Sequence, residues 1–160
     1  METVYLETTV ISYLVARLSR DLKVAAHQQT TQEWWFTRKD QFNCYVSQVV
    51  LDEVSAGDAA EIAKRITAVQ DLPVLANNND SQELTKRILS TGVIPPRAVQ
   101  DAGHIAVAAV HEIDYLLTWN CKHLANAQIM RKIERLCGDL GFRLPIICTP
   151  EELMGGLDHE

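Results

Sequence analysis

Short apolar runs alternate with longer stretches of helical periodicity along this chain, and that alternation constrains its fold more than any other feature. Val4-Tyr5-Leu6, Asn43-Cys44-Tyr45-Val46, Pro73-Val74-Leu75, Tyr115 to Trp119 and Pro145-Ile146-Ile147-Cys148 are rich in β-branched and aromatic residues and too short for core helices, so they read as strands. Strands joined through helices take right-handed crossovers and pair in parallel. The expected class is α/β, with a mostly parallel sheet of about five strands covered on both faces. At 160 residues and 47% hydrophobic, the chain is expected to form one domain, 1–160, with one core.

The helices carry their own punctuation. Thr9 is expected to cap a first helix bearing Val10, Ile11, Tyr13 and Leu14, which Ser19-Arg20-Asp21 breaks. A second helix runs from Leu22 towards Arg38 and holds Trp34-Trp35-Phe36, two of which are expected in the core because adjacent residues cannot share a helix face. Ser47 caps a short helix that carries Val50, Glu53 and Val54 on one side. Glu61 to Val69 reads as a helix with Ile62, Ile66 and Val69 inward. Asn77-Asn78-Asn79-Asp80 leads into a helix from Ser81 that Thr91-Gly92 closes. From Asp101, the spacing of Ala102, Ile105, Ala106, Ala109 and Ile113 predicts a small-residue helix lying close to the sheet. Ala127 to Leu140 forms a helix ended by Gly141, and Thr149-Pro150 opens a last short one.

Several function classes drop out. No apolar run approaches the ~20 residues of a membrane span, and the start lacks the layout of a signal peptide, so the chain reads as cytoplasmic. Four cysteines without a C-x-x-C pair argue against structural zinc, and Cys44 and Cys148 read as small core residues. A formal net charge of −6 weighs against broad adhesion to nucleic acid, although Lys64-Arg65 and Arg131-Lys132-Arg135 group cations locally. Dinucleotide, Walker A, zincin and nucleophilic-serine signatures are all absent.

What remains is a set of oxygen-bearing side chains. Glu7 follows the first apolar run and Asn120 the fourth; between them Glu53 ends Val49-Val50-Leu51-Asp52-Glu53, and Asp101 opens the small-residue helix. If the runs are neighbouring parallel strands, their C-terminal ends share the edge where open α/β sheets bind ligands. Converging carboxylates repel one another unless a cation sits among them, and hard oxygen donors suit Mg²⁺ or Mn²⁺.

Four segments in order carry a family resemblance: Tyr5-Leu6-Glu7-Thr8-Thr9-Val10-Ile11, Val46-Ser47 through Glu53, Asp101-Ala102-Gly103-His104-Ile105-Ala106, and Leu116-Leu117-Thr118-Trp119-Asn120. Together they resemble the PIN domain, a metal-dependent nuclease fold of the VapC-type toxins of bacterial toxin-antitoxin pairs. The resemblance implies a three-layer α/β/α sandwich, an acidic pocket for Mg²⁺ or Mn²⁺, and hydrolysis of RNA phosphodiester bonds. It also implies a small antitoxin partner and a homodimer.

The roles it implies are Glu7, Asp101 and Asn120 as metal ligands, Glu53 as an acid orienting water, Thr9 as a contact to the water or the scissile phosphate, and Lys122 as a phosphate contact. His104, three residues after Asp101, reads as a hydrogen-bonded packing histidine, and His123 as a loop residue. Two positions depart from the family pattern. Glu7 stands where Asp is usual and Asn120 where Asp is common, and both bear on catalytic strength. They keep open a different class, a catalytically weakened PIN module that binds RNA or a partner protein without cutting. A phosphatase-like hydrolase would need an Asp nucleophile in a D-x-D arrangement, which Glu7-Thr8-Thr9 does not supply.

Overall fold

Val4, Tyr5 and Leu6 are completely buried, as a strand covered on both faces requires, and they form the centre of the sheet. A computed structural model describes residues 1–156. In chain order its elements are β1 (Thr3–Leu6), α1 (Thr8–Val15), α2 (Leu22–Thr37), β2 (Asn43–Ser47), α3 (Gln48–Val54), α4 (Ala59–Val69) and β3 (Val74–Leu75). There follow α5 (Asn79–Ser90), α6 (Val99–Val110), β4 (Tyr115–Leu117), α7 (Ala127–Asp139) and β5 (Ile146–Cys148). Short 3₁₀ turns cover Lys39–Gln41, Pro96–Ala98 and Pro150–Leu153.

The strands lie in the order β3-β2-β1-β4-β5, and every pairing is parallel. Right-handed crossovers in that order put α1 to α4 over one face and α5 to α7 over the other. The strand order reverses at β1, whose C-terminal end lies between those of β2 and β4. Such a reversal opens a crevice beyond the strand ends, and the candidate site lies there.

Local chemistry explains most boundaries. Ser47 accepts from Val50 N at 3.3 Å and starts α3 as its sequence position predicts. Thr149 and Glu152 close a reciprocal capping box over the final turn. Cys44, Cys137 and Cys148 are buried thiols, and burial raises the pKa of each: Cys44 and Cys137 to about 11, Cys148 to about 12. Trp34 is fully buried, Trp35 packs partly against the core, and Phe36 is 79% exposed.

The structure corrects four expectations. The cap of α1 is Glu7, whose carboxylate accepts from Thr9 N, so the helix starts one residue before Thr9. Helix α5 starts at Asn79 rather than Ser81, because Asn78 is the capping side chain. Helix α6 starts at Val99, two residues ahead of Asp101, since the 3₁₀ turn after Pro95 runs directly into it. Ile66 does not face inward and is exposed. The shielded row of α4 runs through Ile62, Arg65 and Val69 instead, and the guanidinium of half-buried Arg65 donates to Ala56 O at 2.9 Å.

Candidate metal centre

Glu7 leaves β1 in an extended conformation and is only 2% exposed. Its carboxylate accepts from Thr9 N at 3.0 Å, the Thr9 hydroxyl at 2.6 Å and the Thr118 hydroxyl at 2.5 Å. Its backbone N–H donates to Leu117 O, which continues the β1–β4 pairing to the rim of the crevice. The acid is therefore held by its own helix start and by the end of the neighbouring strand.

Glu53 reaches the same place from α3. One oxygen accepts from the Thr8 hydroxyl at 2.7 Å and meets His104 Nε2. His104 comes from α6 and is completely buried. Its Nε2 lies 3.9 Å from Glu7 Oε2, and its Nδ1 lies 2.6 Å from the Tyr5 hydroxyl, which in turn is 2.6 Å from the Ser47 hydroxyl. Glu7, Glu53 and His104 each offer a ligand atom, and the three atoms lie within 4.8 Å of one another.

Burial works against the charged form of His104, but the hydrogen bond to Glu53 and the charges of Glu7, Glu53 and Asp101 outweigh it, so its pKa stands above the ordinary value. Burial likewise pushes Glu53 upward, and the His104 hydrogen bond and charge, with the Thr8 bond, bring it below the usual carboxylate range. Burial drives the Tyr5 phenol far above its ordinary range. A protonated His104 satisfies the whole chain of contacts: Nε2–H donates to Glu53, Nδ1–H donates to the Tyr5 oxygen, and the Tyr5 O–H donates to Ser47.

The other sequence candidates lie around this centre. Asp101 sits one turn before His104 on α6, and its carboxylate meets His123 Nδ1 at 2.8 Å. Asn120 turns its side-chain oxygen onto the backbone N–H groups of Lys122 and His123, at 3.2 and 3.0 Å. The Thr9 hydroxyl donates to Glu7 and accepts from Trp119 N at 2.9 Å. Lys122 is exposed in the loop after β4. Sequence reasoning placed His104 in packing and did not see Tyr5, Ser47 or Thr118 at the site. The signal for His104 was its i, i+3 relation to Asp101; Tyr5 and Thr118 carry none beyond their places in and after strands.

The donor chemistry fits a hard divalent cation. Two carboxylates converge from separate elements, and Glu53 keeps one oxygen without a hydrogen-bond partner among the described residues. Imidazole nitrogen suits Mg²⁺ or Mn²⁺ poorly, and both His104 nitrogens already have partners. His104 therefore belongs to the support of the carboxylates rather than to the ligand set.

No family model matches the chain, and no curated protein matches its sequence. Among solved structures it is similar to a chain of VapBC2 from Rickettsia felis, in a crystal structure with a DNA fragment from their promoter. That likeness has a TM-score of 0.61 at 15% identity and covers 92% of this chain and 98% of that one. A second likeness is to VapBC-5 from Mycobacterium tuberculosis, a member of the VapBC family of toxin-antitoxin systems. Its TM-score is 0.46 at 18% identity, covering 75% of this chain and 86% of that one. The architecture is thus a PIN-like α/β/α fold, shared with the VapBC2 chain. Among the described residues, no helix is long and apolar enough to cross a membrane.

Proposed function

We propose that the chain is a metal-dependent ribonuclease of the PIN type and the toxin of a toxin-antitoxin pair, restrained by a small protein that covers the acidic crevice. The observation that carries this reading is the convergence of Glu7 and Glu53 at the strand-order reversal of a PIN-like sheet. Glu7 and Glu53, with Asp101 one turn before His104, would hold Mg²⁺ or Mn²⁺, which would supply an acidified water and neutralise charge on the phosphate. Thr9 and Thr118 fix the direction of the Glu7 carboxylate. His104 keeps a proton at Nε2 against Glu53 and screens the repulsion between the two acids. Asn120 positions the loop that presents Lys122 to a phosphate.

The test is cleavage of a mixed RNA pool by the purified protein with Mg²⁺, with Mn²⁺ and with chelator, alongside Glu7→Gln. Cleavage only with a divalent ion, lost in a Glu7→Gln protein that remains folded by circular dichroism, is the expected outcome. Equal cleavage with chelator, or an active Glu7→Gln protein, would sink the reading. One observation favours a second reading: the His104 imidazole lies against Glu53 and 3.9 Å from Glu7, where its protonated form would offset the two acids without a metal, which suits a module that binds RNA without cutting. RNA that is bound but intact under both metals selects that alternative.

A further inference from the structure

Helix α7 is sharply two-sided. Ile129, Met130, Ile133, Leu136 and Cys137 pack against the core. On another face, Gln128, Arg131, Lys132 and Arg135 follow one another at i, i+3, i+4 and i+7 and line a shallow cleft of about 520 Å³. All four are exposed. None of the three cations lies within ion-pair distance of a carboxylate among the described residues, whereas Lys64 and Arg143 elsewhere have Glu61 and Asp114. Two acids share the helix: Glu134 lines a different cleft, and exposed Asp139 follows Arg135 at i+4 and closes the row at its C-terminal end. In a chain of net charge −6, the row gathers three cations within five residues ahead of that acid.

The stripe is also tied to the acidic crevice. Asn126 caps α7 by accepting from Gln128 N and Ile129 N, and its amide donates to Lys122 O at 3.3 Å. The same short loop contains Asn120, which follows Thr118 and the Glu7 contact, and His123, which meets Asp101. Arg131 to Arg135 spans about 6 Å of helix, at 1.5 Å per residue. Guanidinium groups suit phosphate oxygens because they present paired donors in a plane.

We infer that Arg131, Lys132 and Arg135 form a track for the backbone phosphates of single-stranded RNA, guiding the strand to or from the acidic crevice through the loop that carries Lys122. The inference rests on the ribonuclease reading only for the identity of the nucleic acid. An acidic protein segment is the competing occupant. RNA is favoured because the loop that carries Lys122 leads directly from the crevice into the helix that bears the stripe, with Asn126 joining the two.

The test is equilibrium binding of a labelled, unstructured RNA of about 20 nucleotides in chelator across a salt series, so that cleavage plays no part. The triple variant Arg131→Gln, Lys132→Gln, Arg135→Gln is compared with a charge-matched exposed triple, Lys23→Gln, Lys86→Gln, Arg87→Gln. Loss of three phosphate contacts is expected to lower the slope of log affinity against log salt by about 2, at roughly 0.7 per contact for single strands, and to weaken binding about tenfold or more at moderate salt. The control is expected to bind like the parent. Equal weakening in both triples, no weakening in either, or a parent protein that binds an acidic peptide but no RNA would overturn the inference. A parent that binds RNA through the stripe yet cuts none with Mn²⁺ keeps the track and rejects the nuclease.

Discussion

The Thr118 hydroxyl donates to Glu7 at 2.5 Å although the two residues are 111 positions apart, so the end of β4 sets the direction of the acid at the end of β1. Thr9 supplies two further donors to the same carboxylate. A site acid held on three sides is preorganised before any ligand arrives.

Thr118→Val keeps the shape of the side chain and removes its donor. Hydrogen bonds to charged groups contribute about 1.5–3 kcal/mol, so a stability loss of that size is expected, with most of it recovered in Thr118→Ser. Urea denaturation measures both. A valine variant with the parent midpoint would show that this contact does not hold the acid.

Tyr5→Phe removes the hydroxyl linking Ser47 to His104 without changing the packing of the ring. His104 Nδ1 is then left without its buried partner, at a cost of about 1–3 kcal/mol. The variant is expected to unfold at lower denaturant while keeping its secondary structure by circular dichroism. Unchanged stability would mean that water replaces the hydroxyl.

Asp114 contributes to the acid limb of the stability profile. The Thr3 backbone N–H at 2.8 Å is the main cause of its lowered pKa; partial burial opposes this, and Arg143 and the Thr3 hydroxyl add to the lowering. A depressed carboxylate contributes stability that is present above its unfolded value, about 3.9, and is lost as pH falls through the folded value. Asp114→Asn is therefore expected to be less stable near neutral pH and to converge on the parent under acid. Urea midpoints measured from neutral pH downward decide it; a constant gap at every pH contradicts the assignment.

Ile66 separates sequence pattern from packing. Being exposed, it should tolerate Ile66→Lys within about 0.5 kcal/mol. Val69, 3% exposed on the same helix, should lose about 2 kcal/mol as Val69→Ala. Thermal or urea unfolding of the pair reads the contrast directly, and a destabilising Ile66→Lys would return Ile66 to the core.

The sheet was legible because each strand is an apolar run bounded by residues that stop it, and parallel order follows from the helices between them. The capping at Ser47 and Thr149 was equally local. Ile66 was misread because hydrophobic spacing does not register that the neighbouring Arg65, bonded to Ala56 O, takes the more shielded position. The cap of α1 was misassigned because Glu7 and Thr9 both offer oxygen to the helix start, and only the β4 contact turns the threonine hydroxyl toward Glu7. Glu7 and Glu53 were visible as acids near strand ends. The role of His104 was not, because a buried histidine acquires it from Tyr5 and Glu53, which lie 99 and 51 residues away along the chain.

The central place of β1 has a consequence for synthesis. A growing chain that has emerged only through α5 and α6 can pair β1 with β2, but the other edge of β1 stays open and the Thr118 donor to Glu7 does not yet exist. Non-local parallel pairing of this kind forms late and leaves an adhesive edge until it does. The acidic crevice thus acquires its shape only after roughly three-quarters of the polypeptide has left the ribosome, and a prematurely terminated product carries the acids without the frame that aims them.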